Sequence, residues 1–268
     1  MNTNFNNIKR LVIKVGSSSI THETGEINLE KIDQLAWECA NLRNKGIEVA
    51  LVSSGAIFAG AHRMLLSEKP KDTPRKQAAS AVGQVALMNT YARSFHNYNY
   101  QVAQLLLTRM IEENTTMGVN VKNAFDELFN LNVVPIINEN DAISTLEIEF
   151  GDNDKLSAVV ARIIQADLLI LLSDIDGLYN SNPKTNPQAK RLSLVEKVDE
   201  DLYKMAGNAI SSAGTGGMIT KLDAAKLCME RGIDMVIANS QDLSVIRKII
   251  AGEDVGTLFV GGKNAGLV

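Results

Sequence analysis

Short runs rich in leucine and β-branched residues recur along this chain, at 11–15, 49–52, 102–107, 133–137, 168–172 and 235–238. Longer segments of helical period separate them. Strands that alternate with helices in this way form βαβ units, so the pattern predicts an α/β fold built on a parallel sheet. In the first interval Leu29, Ile32, Leu35, Ala36, Cys39 and Leu42 share one helical face, with Asn28 placed to cap the start and Gly46 to end it. Further helices are expected over 75–95, 121–131, 155–165, 217–231 and 243–250. The stretch 180–190, NSNPKTNPQAK, reads as a long loop because prolines and asparagines favour turns. No interdomain linker interrupts the series, and a β-hairpin is expected after VVPII, where Ile143, Leu146, Ile148 and Phe150 partly alternate with polar residues.

With 268 residues and 45% hydrophobic side chains, the chain is long enough to bury a core of its own. Its 27 basic and 31 acidic residues give a net charge of −4, which supplies no footprint for nucleic acid or an anionic membrane and favours a small-molecule partner. No run is long and apolar enough to span a bilayer and no secretory leader opens the chain, so the expected location is cytoplasmic. Cys39 and Cys228 both fall in helical segments and read as buried thiols. His22, His62 and His96 are scattered, with no zinc-ligand or Cys-His spacing.

The stretch INENDAISTLEIEFGDNDKLSAV sets Glu139, Asp141, Glu147, Glu149, Asp152 and Asp154 against a single lysine, Lys155. Carboxylates this dense repel unless solvated or matched by cations. A solvated hairpin, a divalent-metal site and a pocket for a cationic group all fit the pattern. Glycine-rich loops point to an anion as well. LVIKVGSSS places Lys14 near the end of a strand, followed by Gly16, and VSSGAI puts Ser53, Ser54, Gly55 and Ala56 at the end of the next. At such ends glycine lets backbone N–H groups approach an anion. SSAGTGGMITKLDAAK sets Gly214, Gly216 and Gly217 before a helix bearing Lys221, an arrangement suited to phosphate. It is neither a P-loop nor a dinucleotide fingerprint, since G-x-x-x-x-G-K-[ST] and G-x-G-x-x-G are both absent.

Taken in order, KVGSS, VSSGAI, AVGQ, PIINENDA, GDNDKLSA, SDIDGLY, GTGGMITKLDAA and VGTLF resemble the glutamate 5-kinase branch of the amino acid kinase family. The resemblance spans residues 8 to 260. It implies a three-layer α/β sandwich with an open, mostly parallel sheet of about eight strands between helical layers. It further implies a single domain over 1–268, with an acceptor-binding half at about 1–165 and a nucleotide-binding half at about 166–260. Many relatives carry an additional RNA-modification-type (PUA) domain, and a short form without it is expected. The implied activity is ATP-dependent phosphorylation of the γ-carboxylate of L-glutamate, the first step of proline synthesis.

Position by position, the resemblance makes Lys14 and Lys221 the cations at the transferring phosphate and Asp154 the carboxylate that organises them. Ser54, Gly55, Ala56, Asp141 and Asn153 become acceptor-binding, with Asp141 and the amide of Asn140 or Asn153 taking the substrate ammonium. Gly16, Ser173, Asp174, Thr215, Gly216, Gly217, Met218, Ile219 and Thr220 become nucleotide-binding, together with both lysines. Mg²⁺ is expected to ride mainly on the nucleotide phosphates, direct ligation by Asp152 or Asp154 being the competing reading. Glu147 and Glu149 are read as solvated, and Tyr91 and Phe95 as core residues. Further expectations are a homo-oligomer, proline as feedback inhibitor, and handover of product to glutamyl phosphate reductase. An acceptor from another branch (aspartate, acetylglutamate or uridylate) and a catalytically silent sensor are the rival readings.

Overall fold

Strands covered on both faces must be apolar throughout, whereas strands with one wet face alternate. In the computed structural model, β4 (Val134–Glu139), β5 (Leu168–Ser173) and β7 (Asp234–Asn239) are buried along essentially their whole length. The structure describes residues 5, 7–112, 114–144, 153–183, 185–208 and 215–262, without the side chains of 109, 208 and 215. Adding β1 (Arg10–Val15), β2 (Glu48–Val52), β3 (Val102–Leu107), β6 (Leu194–Val195) and β8 (Thr257–Phe259) gives an eight-stranded sheet in the order β3-β4-β2-β1-β5-β7-β8-β6. The described pairings are parallel except β7 with β8. The expected open, mostly parallel α/β sheet is the one observed.

The chain separates into two compact units, Val15–Asn153 and Met1–Lys14 with Asp154–Val268. In the first, α2 (Leu29–Asn44) starts where the Asn28 side chain accepts from Lys31 N at 3.0 Å, and it buries Ile32, Leu35, Ala36, Cys39 and Leu42. Leu29 departs from that face: at the first helical position it is 63% exposed and lines an open cleft with Ile27, Ala59 and Leu65. Two glycine loops of the sequence turn out to begin helices. Gly16 precedes α1 (Ser17–Ile20), and Gly55, at φ 85°, caps α3 (Ala56–Arg63).

The longest helix, α4 (Thr73–His96), crosses α3 at backbone distance. A Cβ on Gly60 would stand 1.7 Å from Ala79 O, and one on Gly83 would stand 1.8 Å from Ala56 O. Only glycine fits at either position. Tyr91 and Phe95 lie in the core as expected, their rings tilted with centroids 6.5 Å apart. Next, α5 (Thr115–Asn130) starts six residues before the expected Val121, because Asn114 caps it through Met117 N.

The second unit contains α6 (Asp154–Ile163), α7 (Glu200–Asn208), α8 (Thr215–Met229) and α9 (Val245–Ile250). Two main-chain N–H groups, of Lys9 and Arg10, donate to Asp167 Oδ2 and tie the start of β1 to the entry of β5. Cys39 and Cys228 are both buried free thiols. Residues 180–190 form the expected loop where described, closed by the Tyr179–Arg191 bridge. The expected hairpin at Leu146, Ile148 and Phe150 lies outside the described residues, as do Glu147, Glu149 and Asp152.

Candidate active site

In the Val15–Asn153 unit, β2 and β4 run parallel with Val52 opposite Ile137. Their carboxyl ends therefore lie side by side, where parallel sheets gather ligands. The register continues one step further, with Ser53 N donating to Ile137 O at 2.8 Å. Asn153 closes this corner. Its Nδ2 donates to Ser53 O at 2.6 Å and to Asn138 Oδ1 at 2.8 Å, with Ser54 Oγ at 3.1 Å.

Ser54, Gly55, Ala56 and Asn153 thus come together at one strand end. Gly55 also packs against the first glycine-serine loop, since a Cβ there would stand 3.6 Å from Ser17 Cβ. The two loops that follow β1 and β2 are neighbours. Asp141, on the turn after β4, accepts from Ser80 Oγ of α4 at 2.6 Å. The amide that meets Asn153 is that of Asn138, and the main-chain N–H of Asn140 donates to Leu107 O. Beneath this corner Ser53 Oγ and Tyr91 OH are 3.0 Å apart. Burial pushes the Tyr91 phenol well up, against a smaller opposing effect of the Ser53 hydrogen bond, so it serves as a neutral hydroxyl.

The other cluster, in the second unit, is ionic. Lys14 Nζ lies 2.5 Å from Asp154 Oδ1, and Lys221 Nζ lies 2.8 Å from Asp154 Oδ2. Thr220 Oγ1 donates to the same Oδ2 at 3.2 Å, and Lys221 also reaches Gly217 O at 3.2 Å. Exposure is 0% for Asp154, 5% for Lys14 and 7% for Lys221. Burying three charges is costly unless each is paired, and here one carboxylate serves two ammonium groups. The cluster carries a net charge of +1, which suits an anion. The sequence explains its assembly: Lys14 faces inward from an apolar strand, Asp154 opens α6, and Lys221 sits in the second turn of α8.

Each Asp154 oxygen meets an ammonium group, an arrangement that fits a carboxylate organising the two lysines. Among the described residues no group of three His, Cys, Asp or Glu side chains is placed to hold a metal ion. Ser173 ends β5, where its hydroxyl donates to Asp174 Oδ1 at 3.0 Å. Ser240 N donates to Ser173 O at 2.7 Å, and Asn239 Nδ2 to Asp174 O at 3.3 Å, which ties this loop to the end of β7. Met218 and Ile219 continue the first turns of α8 from Gly217, and Thr215 and Gly216 open it, the Thr215 side chain lying outside the described atoms.

Four residues around this corner, Ser80, Gln84, Tyr91 and Asn138, are not marked out by the sequence as functional. The available signal was a polar residue on an otherwise buried stripe or strand. Asn138 follows VPII in a strand buried at every position, and Gln84 is 7% exposed on a helix whose buried positions are mostly small or apolar.

Residues 9–239 match the amino acid kinase family. Among curated relatives, the glutamate 5-kinase of Clostridium acetobutylicum is 52% identical over 254 residues, covering 95% of each chain. That of Clostridium perfringens is 49% identical over 259 residues, covering 95% of this chain and 96% of its own. Carboxydothermus hydrogenoformans has a longer glutamate 5-kinase, 50% identical over 254 residues, of which the match covers 68%. Among solved structures, UMP kinase from Bacillus anthracis superposes with a TM-score of 0.62 at 19% identity, over 95% of this chain and 97% of the other. An isopentenyl phosphate kinase gives 0.62 at 16% identity, over 94% and 100%. The two solved kinases share the fold, and the family match over residues 9–239, with clostridial relatives identical at about half of the aligned residues, shows that the chain belongs to the amino acid kinase family.

Proposed function

We propose that this chain transfers the γ-phosphoryl group of ATP to the γ-carboxylate of L-glutamate, producing L-glutamyl 5-phosphate for proline synthesis. One observation carries the chemistry: the buried pair of ammonium groups, Lys14 and Lys221, held by a single carboxylate, Asp154. The choice of acceptor rests on the relatives named glutamate 5-kinase.

A glutamate carboxylate has a pKa of about 4.3 and is already ionised at neutral pH, so the reaction needs no general base. The requirement is to bring this anion up to the polyanionic nucleotide and to offset charge on the transferring phosphoryl oxygens. Lys14 and Lys221 supply that offset, and Asp154 fixes where their ammonium groups stand. Mg²⁺ accompanies the nucleotide, held mainly by its phosphates, and adds charge neutralisation there. Gly16, Ser173, Asp174 and residues 215–221 receive the nucleotide.

Asp141 and Asn153 read the substrate ammonium while Ser54 and the main chain of Gly55 and Ala56 line the same corner. Asn153 and Asp154 are joined by one peptide bond, so the acceptor-reading amide and the carboxylate that holds the lysines are consecutive in the chain. Proline, which shares the ammonium and α-carboxylate of glutamate, fits the same groups as an inhibitor. A cytoplasmic homo-oligomer that passes its labile acyl phosphate to glutamyl phosphate reductase completes the reading. No described helix is long and apolar enough to cross a membrane.

ADP release measured over a panel of acceptors tests the assignment. L-Glutamate is expected to exceed aspartate, N-acetyl-L-glutamate and UMP by a wide margin in kcat/KM. Equal turnover of N-acetyl-L-glutamate would mean that no group here reads a free ammonium. Absence of turnover with every acceptor would favour a sensor.

A further inference from the structure

Helix α4 presents Ser80, Gln84, Leu87 and Tyr91 at spacings of four, three and four residues, a single stripe of the helix, and all four are buried. Three of these are polar, and each reaches a different segment of the acceptor corner. Ser80 holds Asp141, Tyr91 meets Ser53, and Gln84 Oε1 accepts from Asn138 Nδ2 at 2.9 Å. A buried glutamine on a helix face that could have been leucine implies a requirement for its hydrogen bond.

The direction of each amide follows from groups that cannot reverse. Glu139 N, a main-chain donor, gives its hydrogen to Asn138 Oδ1 at 3.0 Å, which fixes that atom as the oxygen. The other end of Asn138 is then the NH₂, and it donates to Gln84. Since Asn138 Oδ1 and the Ser53 carbonyl only accept, the end of Asn153 that meets both must be its NH₂. Reversing Asn153 would set carbonyl against carbonyl at 2.6 Å. The amide is therefore committed to offer its carbonyl oxygen, not its NH₂, to a ligand. An oxygen acceptor matches an ammonium donor.

We propose that Gln84 is a positioning residue for amino-acid recognition: by holding Asn138 it locks the Asn153 amide with the carbonyl oxygen available to the substrate ammonium. The inference rests on the proposed glutamate kinase activity. Without the Gln84 acceptor, Asn138 has an unpaired NH₂ in the buried interior and turns to satisfy it, which releases Asn153. Ser80, one turn earlier, braces Asp141 from the same stripe.

Steady-state ADP release with glutamate varied at saturating ATP tests this on the full chain. Gln84→Met, close in volume but without an acceptor, is expected to raise the glutamate KM about tenfold, with kcat and the ATP KM within about twofold of wild type. Gln84→Glu, which keeps an oxygen at the Asn138 NH₂, is expected to restore the glutamate KM. In an Asn153→Ala background Gln84→Met should add little, because coupled residues are not additive. If Gln84→Met does not fold, Gln84→Asn, which withdraws the acceptor by one methylene, is expected to show the same KM shift. An unchanged glutamate KM in the folded variant, a full additional increase over Asn153→Ala, or an equal rise in the ATP KM would each overturn the positioning role. Those outcomes presuppose a wild-type enzyme that turns over glutamate. A wild type that does not would overturn the proposed function, and this inference with it.

Discussion

The two polar clusters of this molecule are built from opposite materials. In the unit formed by Met1–Lys14 and Asp154–Val268, Lys14, Asp154 and Lys221 are three buried charges in direct contact. In the Val15–Asn153 unit, Ser53, Ser54, Gln84, Tyr91, Asn138 and Asn153 are neutral hydroxyls, amides and carbonyls, and Asp141 on the rim is the carboxylate among the proposed acceptor-binding groups. Charge is needed where charge redistributes during a reaction, since fixed ammonium groups in a low-dielectric site stabilise it without reorganising. Neutral groups suffice where an unchanging substrate is only to be oriented, and they can be buried at lower cost. The ionic cluster should therefore control kcat and stability together. The neutral one should control the KM of one substrate.

Removing the shared carboxylate should produce the largest effect. Asp154→Ala leaves two buried ammonium groups without a counter-charge, and breaking a buried pair from one side costs about 3–5 kcal/mol. Denaturant melts should show a loss of that size, and Asp154→Asn should slow turnover with little change in either KM. If excess Mg²⁺ restored the Asp154→Asn rate, metal ligation would replace the organising role and the contrast between the clusters would blur.

Next in size are the lysines. Lys14→Ala and Lys221→Ala should each lower kcat about 10²-fold or more, by more than they raise either KM, as expected for loss of one electrostatic stabiliser of the transition state. A variant with normal kcat and only a weakened ATP KM would move that lysine from chemistry to binding.

Smaller and confined to one substrate is the effect at the neutral corner. Asp141→Ala should raise the glutamate KM about 10- to 150-fold, for a charge-assisted hydrogen bond worth about 1.5–3 kcal/mol, and leave the ATP KM near wild type. The same variant should weaken inhibition by proline. A parallel fall in kcat would show that the two clusters do not divide the work. Smallest of all, Tyr91→Phe removes one neutral hydrogen bond to Ser53 and should cost about 1 kcal/mol in thermal or chemical melts.

The contrast also explains what could be read from the sequence. Fully buried parallel strands such as LLILLS announce themselves as apolar runs, and Asn28 with Gly46 marks both ends of α2. By contrast β6 has two residues and β8 three, too few to show a period, and the first half of α5 buries no residue, its Met117 and Val119 being exposed, so no apolar stripe marks its start at Thr115. The glycine-serine stretches after β1 and β2 read as loops because glycine and serine mark turns, although here they serve as the entry to α1 and α3, neither of which the sequence pattern announces. The ionic residues are legible through the family motifs: Lys14 sits in the apolar run LVIKV, and Asp154, one of six carboxylates in its stretch, is set apart only by the match of GDNDKLSA. Ser80 and Gln84 are not, since a polar residue on a long helix looks solvated until its partner, 61 positions away for Ser80 and 54 for Gln84, is known.

Chemical trapping of the product tests the central claim most directly. An acyl phosphate reacts with hydroxylamine to give a stable hydroxamate, so ATP, glutamate and hydroxylamine with this enzyme should accumulate γ-glutamyl hydroxamate in step with ADP. The same mixture with N-acetyl-L-glutamate should yield almost none. ADP release without hydroxamate, or equal hydroxamate from the acetylated acceptor, would contradict a kinase that phosphorylates the side-chain carboxylate of an amino acid recognised by its free ammonium.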